Sequence, residues 1–268
     1  MAASEPQYKW IDPAIYQSFM GRWSELLAPK FLALTGIPAG ARVLDVACGT
    51  GVLSKALADS GHNVVGIDVS EGFLEGARQL RSHPNITYQT GDIRQMIFSD
   101  GAFDAAVSTL ALDVLPETDQ VVAEMKRVVR PGGVVASAVH QFLGGLPAND
   151  LLIHTASVLD AQIRELRSIR AGRQRFWAGG QSAMWRATGL VDVVETPLVI
   201  DCEYPSFADF WGTFTSGMAS FSPRLMALRD DVRSQIQEHV RAGYLLGGPD
   251  GPRSFPMIAR AVRGKVPG

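Results

Sequence analysis

Residues 42–51 read Arg-Val-Leu-Asp-Val-Ala-Cys-Gly-Thr-Gly, a short apolar strand that runs straight into a glycine turn. Seventeen residues after Gly51, a second strand, Asn63-Val-Val-Gly-Ile67, ends in Asp68. A strand, a Gly-x-Gly turn, a helix and an acid at the next strand end form the first half of a nucleoside-binding α/β unit. Gly49 and Gly51 let the backbone come close to a ligand at points where a Cβ would collide. Asp68 is placed to accept hydrogen bonds from both hydroxyls of a ribose. No other feature of the chain constrains the fold as strongly.

The variant of the loop narrows the ligand. A dinucleotide fingerprint reads Gly-x-Gly-x-x-Gly, its third glycine allowing close helix–strand packing. Here Gly49-Thr50-Gly51-Val52-Leu53-Ser54 has Ser54 at that position. An acid, Asp45, also sits inside the first strand, just before the turn. A carboxylate there repels a pyrophosphate and suits a cationic ligand that carries an ammonium group. A nicotinamide-dependent dehydrogenase is disfavoured on both counts.

The string Val43-Leu44-Asp45-Val46-Ala47-Cys48-Gly49-Thr50-Gly51 resembles motif I of the class I S-adenosylmethionine (SAM)-dependent methyltransferases. Further elements of that family follow in order: Gly66-Ile67-Asp68-Val69-Ser70, Gly91-Asp92-Ile93, Phe103-Asp104, and the stretch from Glu124 to Gly133. The resemblance is densest over about residues 40–140, and segments near 188–193 and 259–264 are similar to the end of the small-molecule members. Phe19-Met20-Gly21-Arg22-Trp23-Ser24 resembles their N-terminal helix.

Composition is compatible with this and excludes some alternatives. A net charge of −2 over 268 residues sets up no global field for nucleic acid or an anionic membrane. Two cysteines, Cys48 and Cys202, make no disulfide framework and point to a reducing, cytoplasmic compartment. No run of 18 apolar residues signals a membrane span, and the first residues lack the layout of a secretion signal. The five histidines, at 62, 83, 140, 154 and 239, have no metal-site spacing, so no metal is expected.

Periodicity predicts an N-terminal helix over about 12–34 and strands at about 42–47, 63–67, 86–90, 103–109 and 134–139. Helices are expected at about 51–60, 71–81 and 117–130, the last stopped by Pro131-Gly132-Gly133. A helical stretch at about 148–169, a helix at 180–187, a strand at 191–200, a helical segment at 207–247 and a strand at about 255–263 complete the chain. The expected fold is α/β, a Rossmann-like doubly wound sheet, mostly parallel with an antiparallel last strand, plus helical lid inserts. Residues 1–140 would hold the N-terminal helix and the SAM-binding core, and 141–187 a first lid insert. The remainder, 188–268, would carry the last two strands, with the insert 207–247 between them.

The resemblance implies a site at the carboxyl ends of the strands. Asp45, Ala47, Cys48, Gly49 and Gly51 would face the methionine part of SAM, Asp68 and Val69 the ribose, and Gly91, Asp92 and Ile93 the adenine. Leu110 would close the end of the fourth strand, and Tyr16 and Arg22 would reach in from the N-terminal helix. His140, at the end of the fifth strand, is the first candidate for a general base, and Asp113 is the second. Family members often carry Asn and Trp at the positions of Asp113 and His140, so neither role is transferred from the family.

Two surface features carry competing readings. Arg164, Arg167, Arg170 and Arg173 recur every three residues, either a solvated helix face or a receptor for an acidic partner. Phe207, Phe210, Trp211, Phe214, Met218 and Phe221 would pack a lid onto the core, with some lining an apolar pocket. The function expected is methyl transfer from SAM to an O, N or C nucleophile of a small, apolar or aromatic molecule, with neither nucleic acid nor membrane as partner. A SAM-binding protein that transfers no methyl, such as a pericyclase or a regulator, stays open, because its cofactor residues would be the same.

Overall fold

The computed structural model describes residues 13–165, 176–216 and 221–268. Seven strands form one sheet: β1 (Arg42–Val46), β2 (Asn63–Asp68), β3 (Ile86–Thr90), β4 (Phe103–Thr109), β5 (Val129–His140), β6 (Val191–Tyr204) and β7 (Arg253–Lys265). Their order is β3-β2-β1-β4-β5-β7-β6. The strands β1 to β5 pair in parallel, and β7 runs antiparallel to both β5 and β6. The predicted doubly wound sheet with an antiparallel last strand is what forms.

Alternate residues of the central strands feed two cores, one on each face. Val43, Ala105, Val107, Val134 and Ala136 pack with Trp23, Leu27 and Phe31 of the Arg22–Thr35 helix and with Leu53 and Leu57 of the Val52–Asp59 helix. Leu44, Val46, Ala106 and Val135 pack on the other side with Val121, Val122 and Met125 of the Thr118–Val128 helix and with Trp185. The near-continuous apolar runs of these strands follow from burial on both faces.

Both long connections start from the carboxyl edge of the sheet. After β5 ends at His140, the chain enters the Pro147–Leu159 helix. After β6 ends at Tyr204, it forms the Phe207–Thr215, Ser222–Met226 and Asp230–Leu245 helices. The two inserts touch, since a Cβ on Gly243 would stand 2.6 Å from Leu151 Cδ1.

Several boundaries differ from expectation. The Thr118–Val128 helix ends two residues early, and Pro131-Gly132-Gly133 lies inside β5 rather than between elements. The glycines make this possible: Gly132 takes φ +75° and its amide donates to Val266, while a Cβ on Gly133 would stand 2.5 Å from the Asp104 carbonyl. Among the described residues, the 207–247 segment forms three helices, one capped where the Ser206 hydroxyl accepts from the Asp209 amide. The N-terminal helix is interrupted by a π-helical turn, Gln17–Gly21. Both β6 and β7 extend beyond their expected ends because they pair along almost their whole length.

The aromatic stretch is mainly core. Phe207, Phe210, Phe214 and Phe221 are buried, and Phe210 packs its ring against Tyr204, Phe214, Tyr244 and Phe255 at 5.0–5.6 Å between centroids. Met218, Arg167, Arg170 and Arg173 lie outside the described residues. Arg164 donates to the carbonyl of Ser157.

Candidate active site

The glycine turn sits where strand order reverses between β1 and β4, with β2 on the other side. Two non-glycine residues at adjacent strand ends hold left-handed backbone: Ala47 after β1, φ +57°, and Leu110 after β4, φ +56°. Such strain persists where the surroundings over-determine it and gathers at ligand sites. For Leu110 the constraint is visible, because its amide donates to the Ala138 carbonyl at 2.7 Å.

Within the loop the two glycines have different reasons. A Cβ on Gly49, φ +54°, would meet nothing within 4 Å, so space stays open beside that residue. Gly51, φ +79°, is filled from within the protein: a Cβ there would collide with the Tyr88 hydroxyl. The missing Cβ of Gly51 thus makes room for Tyr88. Ser54 at the missing glycine position donates to Asp45 Oδ2 at 2.6 Å. Close helix–strand packing is supplied instead by Gly66 on β2, where a Cβ would stand 2.9 Å from both Cys48 Sγ and Tyr88 Cδ1. A glycine inside a strand was a readable signal of such an approach.

Asp68 closes the end of β2. Its Oδ2 accepts from the Gly49 amide and its Oδ1 from the Ser70 amide, both at 2.9 Å. Burial pushes this carboxyl up, against the pull of the Ser70, Gly49 and Val69 amides. Val69 beside it is exposed. Asp45 is almost fully enclosed, and burial raises its carboxyl to about 7; the Ser54 hydrogen bond opposes the rise and the Asp68 charge adds to it. Burial likewise raises the Cys48 thiol, with Asp45 and Asp68 adding to the effect. Carboxyls that burial holds above their ordinary range favour a cation beside them, which would restore their ionised form.

Tyr16 packs edge-on against Phe73 at 5.2 Å. Its phenol is pushed up to about 12 by burial and then by the Asp68 charge. Arg22, from the same helix, takes other partners. Its Nη1 donates to both Asp209 oxygens at 3.0 and 3.2 Å and its Nη2 to Thr213 at 2.8 Å, joining the N-terminal helix to the Phe207–Thr215 helix. At the end of β3, the Gly91 amide donates to the Asp68 carbonyl, and a Cβ there would stand 2.7 Å from Ile67 Cδ1. Asp92 is half-exposed and accepts from the amide and guanidinium of Arg94 at 2.8–3.2 Å, while Ile93 is buried. Arg94 holds the Asp92 carboxyl below the usual carboxylate range.

His140 and Asp113, proposed separately from their positions, stand together. His140 Nδ1 lies 2.7 Å from Asp113 Oδ2, with the Asp113 side chain wholly buried. The imidazole stacks on Phe142 at 5.5 Å. Sequence spacing, 27 residues apart, gave no sign of this pair. Two further residues escaped the sequence reading: Arg81, whose buried guanidinium reaches the glycine loop, and Tyr88, which packs beneath it.

These observations fit SAM as a bound group. An open face beside Gly49, strained backbone at two strand ends, buried acids at Asp45 and Asp68, and no third loop glycine suit an adenosyl sulfonium with an ammonium group better than a pyrophosphate. Among the described residues, no group of acids, histidines and cysteines is arranged to hold a metal ion.

Comparison with known proteins agrees. Residues 44–137 match the family model described as "Methyltransferase domain". A demethylmenaquinone methyltransferase of Renibacterium salmoninarum is 37% identical over 141 residues, 52% of this chain and 57% of that protein. A malonyl-[acyl-carrier protein] O-methyltransferase of Pectobacterium atrosepticum is 36% identical over 109 residues, 41% of this chain and 42% of that protein. The chain thus spans about half the length of the curated relatives it matches. Among solved structures, phosphoethanolamine N-methyltransferase 2 of Haemonchus contortus, in complex with S-adenosyl-L-methionine, superimposes with a TM-score of 0.59 at 17% identity, covering 98% of this chain and 59% of that one. The YcgJ protein of Bacillus subtilis gives 0.55 at 16% identity, covering 92% and 99%. At these identities the structural likeness is one of fold. Over residues 44–137 the chain is similar to a methyltransferase domain, and its fold is the one shared by these solved structures.

Proposed function

We propose that this chain transfers the methyl group of SAM to a nucleophile on a small molecule, with His140 as general base and Asp113 as its positioning partner. The observation that supports this most directly is the 2.7 Å contact between His140 Nδ1 and Asp113 Oδ2 at the carboxyl ends of β5 and β4. Bound SAM supplies a methyl already activated on a sulfonium, so the protein's task is to align the nucleophile, exclude water and accept a proton. A buried carboxylate on Nδ1 selects the tautomer that carries its proton there and leaves the Nε2 lone pair to take a proton from the acceptor. This arrangement favours an acceptor hydroxyl or an acidic C–H over a free amine, which needs no base.

The cofactor side follows the same reading. Asp68 keeps lone pairs beyond those given to Gly49 and Ser70, and these would receive the ribose hydroxyls. Asp45 faces the ammonium end, and Ala47, Cys48, Gly49, Leu110 and Val69 form the walls. Gly91, Asp92 and Ile93 take the adenine, and Tyr16, packed on Phe73, helps close the site. Arg22 we assign to holding the Phe207–Thr215 helix, in keeping with its bonds to Asp209 and Thr213. The two inserts that leave the carboxyl edge support a lid over an enclosed acceptor, which suits a small substrate. The two unpaired, buried cysteines suit a reducing cytoplasm. Among the described residues, no helix is long and apolar enough to cross a membrane.

Calorimetric titration with SAM, S-adenosylhomocysteine and NAD tests the cofactor. Micromolar binding of the first two without NAD is expected; NAD binding alone would overturn the reading. Production of S-adenosylhomocysteine with any acceptor from a phenol and enol panel then separates transfer from mere binding.

A further inference from the structure

The most heavily engaged side chain near the glycine loop belongs to neither strand end nor loop. Arg81 follows the Glu71–Leu80 helix, and its side chain is buried. Nη1 donates to the Thr50 carbonyl, between the two loop glycines, at 3.2 Å. Nη2 donates to Gln17 Oε1 at 2.6 Å and to Glu25 Oε1 at 2.9 Å, both on the N-terminal helical segment. The Arg81 carbonyl accepts from the Tyr88 hydroxyl at 3.2 Å, the same hydroxyl that fills the space beside Gly51. One residue therefore grips the loop from its carbonyl side and, through Tyr88, from below.

The N-terminal segment is shaped to meet it. Gln17 opens the π-helical turn and Gly21 closes it; a Cβ on Gly21 would stand 2.7 Å from Gln17 Cδ. Gly21 thus leaves room for the Gln17 amide to lie across the turn. Gln17 also donates to Glu25 at 2.8 Å, so three side chains form one linked cluster. The same segment carries Tyr16, against Phe73, three residues beyond Ser70.

We propose that Arg81 is a positioning residue for the cofactor loop: it locks the Gln17–Gly21 turn to the Thr50 carbonyl, so that the loop holds its binding shape only with the N-terminal helix docked. This rests on the loop being the SAM site. It gives the π-helical turn a role, which is to deliver Gln17 and Glu25 to one guanidinium from either side of Gly21.

Arg81→Met tests it, and Gln17→Ala/Glu25→Gln removes the same link from the helix side if Arg81→Met does not fold. Glu25 is half-exposed, so removal of Arg81 strands no buried charge there. In calorimetry, S-adenosylhomocysteine should bind either variant about tenfold more weakly, and the triple variant no worse than either, since one link is lost once. KM for SAM should rise with kcat at saturating SAM within twofold of the parent; a fall in folded fraction alone would lower kcat and leave KM in place. In the free protein, hydrogen exchange should rise together at residues 15–21 and 49–54. Cofactor affinity within twofold of the parent, with exchange at 49–54 unchanged, overturns the proposal even if Tm falls. A parent that binds neither SAM nor S-adenosylhomocysteine defeats the reading of the loop as a cofactor site. Exchange at 49–54 then decides the Arg81 link on its own.

Discussion

His140 Nδ1 and Asp113 Oδ2 stand 2.7 Å apart, a contact between the residue that ends β5 and one that follows β4. Parallel pairing makes it possible, because Thr109 aligns with Ala138 and brings both chain exits to the same edge. Replacing His140 by Ala should lower kcat about 100-fold or more while cofactor affinity changes little, the range general-base catalysis contributes. Asp113→Asn should lower kcat less, because the base remains and only the partner that fixes its tautomer is lost. Full turnover in His140→Ala, measured by S-adenosylhomocysteine release, would dismiss the base.

Asp68 does two jobs in the proposed site, and a substitution should expose both. Asp68→Ala is expected to weaken SAM binding roughly 10–100-fold, the equivalent of about one lost hydrogen bond to a charged group. Because the Gly49 and Ser70 amides lose their acceptor, thermal stability should fall as well. Unchanged affinity in calorimetry would remove Asp68 from the cofactor site.

Asp45 should make stability depend on pH in a direction opposite to that of an ordinary salt-bridged acid. Its carboxyl is raised to about 7 in the folded chain by burial, above its ordinary value of 3.8. Between those values the folded state holds a proton that the unfolded state has released, so stability from this group is full below pH ~4 and is lost as pH rises toward ~7. Asp45→Asn keeps an acceptor for Ser54 and removes that loss. The Tm difference, variant minus parent, should be near zero at pH 4 and grow to a plateau above pH 7, while SAM affinity drops. A flat difference across that range would show that Asp45 does not titrate there.

Gly66→Ala should be among the more damaging single-methyl additions. The new Cβ meets Cys48, Tyr88 and Ser54 at 2.9–3.1 Å, none of them free to move without disturbing the loop. A loss of about 1–3 kcal/mol in denaturant unfolding is expected, together with weaker cofactor binding. Wild-type stability in this variant would mean that the helix carrying Ser54 can slide on β2.

Much of this architecture was legible in the chain itself. The β1, β2 and β4 runs are local signals, since burial on both faces demands continuous apolar residues bounded by turns. The glycine loop and Asp68 were legible for the same reason: backbone geometry and strand-end position are short-range properties. Pro131-Gly132-Gly133 misled because the same residues that stop a helix also permit an irregular strand, and pairing with β4 and β7 chose the second.

By itself, the sequence determined the order of strands and helices, the loop variant that disfavours a pyrophosphate, and the acids at Asp45 and Asp68. Only the tertiary structure decided who meets whom. It joined His140 to Asp113, gave Arg22 to Asp209, and set Arg81 between the loop and the N-terminal helix. It also moved the role of the missing loop glycine to Gly66. Periodicity reports which face of an element is buried, but a contact between side chains 27, 31 or 187 residues apart depends on strand register and helix docking, which no local pattern encodes.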